Sequence, residues 1–170
     1  ITIRTDKKPI YLSLKLGGTT TFFNSGIKKI LTKDQIQAGT ITNKDGLKLL
    51  DIFGIDNQRF CKIFNQGGYA EIDRNAKFNR SAIKKLLESG IGYGYHVIHK
   101  FPGKIISKKM DKKAMKEAAT VGNVTLFYGG KGGNGKRIDI VFNSLTYSFQ
   151  VNIRDTQGTD GYPTRMMCNF

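Results

Sequence analysis

Two kinds of hydrophobic pattern run along the chain. Alternating or continuous apolar residues predict strands over 1–5 and 9–16, joined as a β-hairpin, and over 19–24, 95–101, 124–128, 137–143 and 145–154. Apolar residues at three- and four-residue spacing predict helices over 25–31, 33–38, 44–53, 57–65, 79–89 and 111–121. The segment 155–170 contains Gly158, Gly161 and Pro163, and we expect it to be irregular.

The order of these elements is strands, then helices, then strands. That order predicts an α/β or α+β fold in which a mixed central sheet is flanked by helices. We expect residues 1–170 to form one domain, because no linker, repeat or low-complexity segment interrupts the pattern.

The charge narrows the possible classes of function. The chain has 28 Lys+Arg and 13 Asp+Glu residues, which gives a formal net charge of +15. The basic residues lie in both halves of the chain. A basic excess over a folded domain is typical of nucleic-acid-binding proteins. No apolar run reaches the roughly 18 residues of a membrane span, so we expect no membrane partner. Two cysteines, Cys61 and Cys168, are too few for a disulfide framework and favour a reducing compartment, the cytoplasm.

The densest basic run is 100–116, KFPGKIISKKMDKKAMK. Its lysines recur at three- and four-residue spacing around the helix predicted over 111–121, and such a face can follow a row of phosphates. We expect nucleic-acid contacts from this run, from a glycine-rich segment and from one strand end: Lys108, Lys109, Lys112, Lys113, Lys116, Lys131, Lys136, Arg137 and Arg154. The alternative is a helix face whose lysines are only solvated.

The segment 9–18, PIYLSLKLGG, is the most informative for chemistry. Side chains alternate between the two faces of a strand. The aliphatic side chains therefore share one face, which we expect to be buried: Ile10, Leu12, Leu14 and Leu16. Ser13 and Lys15 lie side by side on the other face, where we expect a cleft. The glycine pair that follows lets a ligand or backbone approach closely.

This Ser-Leu-Lys strand resembles the second half of the active-site motif of PD-(D/E)XK nucleases, the restriction-endonuclease-like superfamily. In that family, Mg²⁺ is bound by an Asp on one strand and by an acidic residue two positions before a Lys on the next. Some members carry Ser or Gln in the acidic position. The resemblance covers residues 1–24 and implies a restriction-endonuclease-like core and Mg²⁺-dependent cleavage of DNA. The Lys-rich composition and Gly/Asn-rich turns are also similar to those of bacteriophage proteins.

The resemblance assigns roles by position. Lys15 would orient the attacking water or stabilise charge on the phosphate, and Ser13 takes the place of the missing carboxylate. Ser13 and the backbone carbonyl of Leu14 would be metal ligands. The metal-binding Asp is expected directly upstream of Ile1, because Asp6 in the hairpin turn is poorly placed. Without that Asp, we expect the chain to bind DNA and not to cut it.

The segment 130–137, GKGGNGKR, nearly matches a phosphate-binding P-loop. Arg137 replaces the Ser or Thr that would hold Mg²⁺, however, and the following residues have a strand pattern. A glycine-rich hairpin is therefore expected there. Asp139, with Gln150 and Asn152 on the next predicted strand, is a second nuclease-like register without a lysine, and we expect Asp139 to lie on a half-buried sheet.

His96 and His99 are three residues apart on a predicted strand, which places them on opposite faces and argues against a joint metal site. The rival to a nuclease is a non-enzymatic basic nucleic-acid-binding protein, such as a phage virion component. DNA is the preferred partner over RNA. The sequence leaves open a homodimer, phage proteins as partners, and the host cytoplasm or a virion as the location.

Overall fold

The computed structural model describes residues 1–18 and 20–170, and this part of the chain contains two sheets and five helices. The strands are β1 (Thr2–Ile3), β2 (Ile10–Leu16), β3 (Thr21–Gly26), β4 (Glu71–Asp73), β5 (Tyr95–Phe101), β6 (Lys104–Met110), β7 (Thr125–Tyr128), β8 (Arg137–Asn143), β9 (Ser148–Arg154) and β10 (Arg165–Asn169). The helices are α1 (Lys33–Gln37), α2 (Lys44–Phe53), α3 (Asn57–Gln66), α4 (Arg80–Ile91) and α5 (Lys112–Ala118). The predicted combination of helices and sheets is confirmed.

Each of these helices begins where the sequence offers a cap. A side-chain oxygen just before the helix accepts a hydrogen bond from a first-turn N–H, and the capping residues are Thr32, Asn43, Asp56, Asn79 and Asp111. The longest helix, α4, has 12 residues. Over the described ranges, no helix has the length and apolar character that crossing a membrane requires.

The larger sheet is antiparallel, with six strands in the order β3-β10-β9-β8-β7-β4. Side chains along its strands alternate between two faces. One of them, here called the apolar face, carries buried residues: Leu126, Tyr128, Ile138, Ile140, Phe142, Phe149, Val151, Ile153, Met166 and Cys168. The opposite face, here called the polar face, carries Asp139 paired with Asn152 and Arg137 paired with Arg154.

Helices α3 and α4 cover the apolar face. The backbone N–H of Asp56, at the start of α3, donates to the Tyr128 hydroxyl on β7 at 2.9 Å. On α4, Gly90 lies so close to the Phe23 ring on β3 that a Cβ would come within 2.3 Å of it. Glycine is needed at this point although it weakens a helix.

The smaller sheet is mixed and has the order β1-β2-β5-β6. β2 pairs antiparallel with β1, as the predicted hairpin requires, and parallel with β5. One face of this sheet, here called the inner face, carries Val97 and Met110. These two residues belong to the same hydrophobic core as the residues of the apolar face of the larger sheet. The two sheets therefore share one core.

The expected burial of the aliphatic face of β2 is wrong. Leu14 is 50% exposed and Leu16 is 72% exposed. The reason is the pairing with β5, where Ser13 stands opposite Val97. Because Val97 packs into the core, Ser13 and Lys15 are turned inward with it, and the leucines face out.

Two other expectations are also wrong. Residues 25–31 do not form a helix, because β3 continues to Gly26 and turns follow. Ile27 and Leu31 are buried four residues apart, a spacing that imitates a helix. The irregular segment expected over 155–170 ends in β10, which lies between β3 and β9. Thr19, the first residue of the strand predicted over 19–24, lies outside the described residues.

We predict that Leu14→Ala lowers the free energy of unfolding by less than about 1 kcal/mol, because half of this side chain is already in water. Ile140→Ala, at a position that is 0% exposed on β8, should cost about 2–5 kcal/mol because it leaves a cavity. Urea denaturation of both variants is the measurement. A cost for Leu14→Ala as large as that for Ile140→Ala would show that the outer face of the smaller sheet is covered.

Candidate functional site

Lys15 connects the two sheets. It lies on the inner face of β2, half-buried, and its ammonium donates to the backbone carbonyl of Thr21 on β3. The Lys15 Nζ atom is 5.8 Å from the centroid of the Phe22 ring. Burial lowers the pKa of Lys15 from its ordinary value. An ammonium has three N–H donors, and the contact with Thr21 uses one of them.

Ser13 and Lys15 share their face with residues of β5 and β6. The two rows of paired residues are Ser13–Val97–Lys108 and Lys15–His99–Ile106. A cleft of about 190 Å³ lies between this face and the rings of Tyr147 and Phe170. Val97, His99, Ile106 and Lys108 are among the residues that line it. The neighbours of Ser13 and Lys15 therefore line a cleft.

Aromatic rings form the far wall of this cleft. The Phe22 and Phe170 rings stack with their centroids 4.0 Å apart, and Tyr147 meets Phe170 at 4.9 Å. The Lys108 Nζ atom is 5.1 Å from the centroid of the Tyr147 ring. The three rings are partly buried, and a cation next to aromatic rings is a combination also used by proteins that bind single-stranded nucleic acids.

The residues near Lys15 do not by themselves make a magnesium site. Ser13 offers a hydroxyl and Leu14 a backbone carbonyl, whereas proteins hold Mg²⁺ through one or two carboxylates. Across residues 1–18 and 20–170, no cluster of three His, Cys, Asp or Glu side chains could hold a metal ion. Asp6 is in the turn between β1 and β2. His96 and His99 lie on opposite faces of β5, as expected, and His99 Nε2 is 2.7 Å from the Gly17 carbonyl oxygen.

The hairpin register defines where a carboxylate would have to stand. Ile1 and Leu12 are joined by two backbone hydrogen bonds, at 3.0 Å and 2.7 Å. Thr2 pairs with Tyr11 in the same antiparallel register. A strand residue directly before Ile1 would therefore stand opposite Ser13, on the face that carries Lys15.

A chain of hydrogen-bonded polar side chains crosses the larger sheet, and we call it the polar group. Asp139 Oδ1 accepts a hydrogen bond from the Asn152 amide at 2.7 Å. Asn152 in turn accepts from the Asn169 amide at 2.5 Å. Asn169 accepts from the Thr21 hydroxyl at 2.7 Å. Because Lys15 bonds to the backbone of the same Thr21, this chain of hydrogen bonds extends from β8 to the smaller sheet.

Asp139 lies on a sheet, as expected. It is 2% exposed, so it is more deeply buried than the half-buried position that was expected. Arg137 donates to its Oδ1 atom through Nε at 2.9 Å and through Nη2 at 2.7 Å. The backbone N–H of Lys131 donates to Oδ2 at 2.9 Å. These donors, together with Asn152, occupy the carboxylate, which acts as the counter-ion of Arg137.

The glycine-rich hairpin is confirmed. β7 and β8 pair antiparallel, and residues 129–136 connect them without a helix to hold a P-loop phosphate. The loop folds over the polar face. A Cβ on Gly130, whose φ is +79°, would come within 2.7 Å of the Arg137 side chain. This close approach and the left-handed backbone both require glycine.

The lysines expected to form one helical face are divided between two elements. Lys112, Lys113 and Lys116 are exposed on α5. Lys108 and Lys109 lie on β6, which ends at Met110. The expectation of a single helical face is therefore wrong. Neighbouring residues of a strand point to opposite sides, and Lys108 lines the cleft while Lys109 stands opposite His96 on the outer face.

The remaining basic residues surround the polar face. Lys131 is exposed in the glycine-rich loop, and Lys136 Nζ lies 5.6 Å from the Tyr162 ring centroid. Arg137 is paired with Asp139 at 2.7 Å. Arg154 stands directly between Arg137 on β8 and Arg165 on β10.

Comparison with protein-family models, curated proteins and solved structures gave no match to this chain. Function is therefore inferred from the residues themselves.

The sequence did not predict that Thr21 and Asn169 belong to the polar group, or that Arg165 stands opposite Arg154. The glycines and proline of 158–163 predict an irregular segment, which hides the strand behind them. One signal was present: in Arg165–Asn169, buried Met166 and Cys168 alternate with residues of the polar face.

We predict that Asp139→Ala lowers the free energy of unfolding by about 3 kcal/mol, because Arg137 and Asn152 lose their acceptor in a buried place. The matched control is Asp160→Asn, which removes an exposed ion pair with Lys33 at 3.2 Å and keeps a residue type that tolerates the φ of +56° at this position; it should cost less than about 1 kcal/mol. Urea denaturation measures both. If the two variants lose the same small amount, Asp139 does not hold the polar face together.

Proposed function

We propose that this protein binds nucleic acid, DNA in the first place, and hydrolyses its phosphodiester bonds at the Ser13–Lys15 strand. The single observation that carries the proposal is that Ser13 and Lys15 lie side by side on the inner face of β2, next to a cleft that also contains Lys108 and aromatic rings.

Electrostatics supports the binding part. A net charge of +15 on 170 residues attracts polyanions. Exposed lysines on α5 and in the glycine-rich loop can contact phosphates without reading sequence. The expected complex is therefore tolerant of sequence and sensitive to salt.

The position of Lys15 supports the chemical part. Phosphodiester hydrolysis places negative charge on a pentacovalent phosphorus, and a lysine held in a partly buried place stabilises that charge better than one in water. The bond to Thr21 fixes the ammonium, so less reorganisation is needed when a phosphate arrives.

Mg²⁺ is the cofactor that this proposal implies. A divalent cation would neutralise the phosphate and lower the pKa of a bound water. Ser13 and Leu14 would supply oxygen atoms for it, and a carboxylate directly before Ile1 would stand opposite Ser13 in the β1–β2 register.

The first prediction of this proposal concerns binding. Lys112→Gln together with Lys113→Gln should weaken DNA binding several-fold and reduce the slope of log affinity against log salt by up to about 2, because each lysine neutralises a phosphate. Fluorescence anisotropy with a labelled duplex measures both quantities.

The control replaces Lys44 and Lys48 on α2, which are equally exposed, by Gln. It should change neither quantity by more than a small fraction of that effect. Affinity that is independent of salt between about 50 and 200 mM would contradict binding through phosphates.

The second prediction concerns cleavage. Two versions of the chain carry one added residue directly before Ile1, Asp in one and Asn in the other. Only the Asp version should nick supercoiled plasmid with Mg²⁺, and EDTA should stop it, because only a carboxylate completes the metal ligands. In that version Lys15→Ala should lower the rate by roughly 10²-fold or more, and Ser13→Ala by less.

Equal nicking by the Lys15→Ala variant would contradict the role of Lys15. Salt-dependent DNA binding by both versions with no nicking by either would favour the second candidate function, a non-enzymatic basic nucleic-acid-binding protein. The observation that favours this alternative is that the Ser13 position lacks a carboxylate.

A further inference from the structure

Three arginines stand in one row across the polar face. Arg154 on β9 pairs directly with Arg137 on β8 and with Arg165 on β10, and Gly26 on β3 continues the row. Directly opposed residues of antiparallel strands have their Cβ atoms about 4.5–5.5 Å apart. Like charges directly opposed on neighbouring strands destabilise a sheet, so an anion bound beside the row would stabilise it.

The chain supplies one carboxylate for these three guanidinium groups. Asp139 pairs with Arg137 at 2.7 Å, and in the described part of the chain no carboxylate lies within 4.0 Å of Arg154 or Arg165. Arg165 donates instead to the neutral Asn24 amide oxygen at 2.8 Å. The row therefore keeps a charge of about +2, from three guanidinium groups and one carboxylate.

Asp155 follows Arg154 in sequence but serves another purpose. Its carboxylate accepts from the backbone N–H groups of Gln157 at 2.8 Å and Thr159 at 2.5 Å, and so organises the loop that leads to β10. It is not among the ion-pair partners of Arg154.

The Arg154 side chain carries an unsatisfied hydrogen-bond donor. Its Nε atom is buried and has no hydrogen-bond partner among the described residues. A buried donor without a partner is costly, and an unpaired guanidinium more so. Such groups in native proteins often mark the place of an ion or ligand.

Space for an anion lies beside the row. A cavity of about 310 Å³ is lined by Arg165, Gly26, Lys28 and Lys29, with Thr164 and Gln157. A Cβ on Gly26 would meet no atom within 4 Å, so the sheet is open at this point. The Arg165 guanidinium and two ammonium groups thus border one concave place, a set of donors that matches a phosphate group, and Arg154 stands directly opposite Arg165 on the neighbouring strand.

We propose that Arg154 and Arg165, with Lys28 and Lys29 at the rim, form a phosphate-binding subsite, whose ligand is a backbone phosphate of the bound nucleic acid. The ligand class rests on the proposed nucleic-acid binding, whereas the phosphate chemistry rests on the arginine row alone. Arg137 is neutralised by Asp139 at 2.7 Å and takes no part in the subsite.

The test uses the full chain and four variants: Arg154→Gln, Arg154→Lys, Arg165→Gln and, as control, Arg74→Gln at an exposed arginine outside the row. Binding of a labelled oligonucleotide is measured by anisotropy over a range of salt. Inorganic phosphate is titrated separately while the side-chain Nε–H signal of Arg154 is followed by NMR. We expect Arg154→Gln and Arg165→Gln each to weaken oligonucleotide binding at least about tenfold, the loss typical of a charge-assisted hydrogen bond.

Arg154→Lys should recover only part of that loss, because lysine keeps the charge and lacks the fork. Arg74→Gln should stay within about twofold of the unmodified chain, as expected for a solvated charge. Without ligand, Arg154→Gln should melt at the same temperature or higher, because it removes a like-charge contact.

The outcomes separate the two proposals. Oligonucleotide binding that is equal in all variants overturns the subsite and leaves nucleic-acid binding standing. Phosphate shifts of the Arg154 signal without oligonucleotide binding support the subsite and contradict the proposed function. A lower melting temperature for Arg154→Gln, with no phosphate shift in the unmodified chain, shows that the row is only structural and overturns the subsite.

Discussion

The alternation of side chains along β8, β9 and β10 is the constraint on which the rest of this structure depends. The apolar side chains of these strands all reach one face, where they join the hydrophobic core that α3 and α4 also contact: Ile138, Ile140, Phe142, Phe149, Val151, Ile153, Met166 and Cys168. With a period of two, the intervening positions are then committed to the opposite face. Those positions hold Arg137, Asp139, Asn152, Arg154 and Arg165. The core and the cationic row are thus two consequences of one register.

Burial of Asp139 makes this polar face rigid. A carboxylate that is 2% exposed is tolerable only when its acceptors are filled, and here Arg137, Asn152 and the backbone of Lys131 fill them. The same bonds fix the glycine-rich loop over β8 and continue through Asn169 to Thr21. Since Thr21 also accepts from Lys15, the position of the Lys15 ammonium depends on a hydrogen-bond chain that begins four strands away.

Sequence patterns predicted the elements well wherever one signal dominated. The helix Lys44–Phe53 has an apolar stripe between Asn43, which caps it, and Gly54 in the left-handed region, and its bounds match the prediction. The orientation of β2 could not be predicted, because Ile10–Leu16 offers a more apolar face than the one that is buried, and the choice is made by its neighbour Val97. The arginine row was equally hidden, because Arg137, Arg154 and Arg165 meet only through long-range pairing, and β10 follows a segment rich in turn residues.

The Lys15 end of the polar face and the arginine row are separated by buried polar residues. Gln150 of β9 stands level with Asn169, and through it with Thr21, while Arg154 is four residues further along the same strand. At about 3.4 Å per residue the two levels are about 14 Å apart. Asn152 lies between them and is 3% exposed, and the glycine-rich loop is bonded to Asp139 beside it, so a ligand cannot lie along this part of β9. The cleft beside Lys15 and the cavity beside Arg165 are therefore separate openings, and a ligand that contacts both has to pass around the buried polar group.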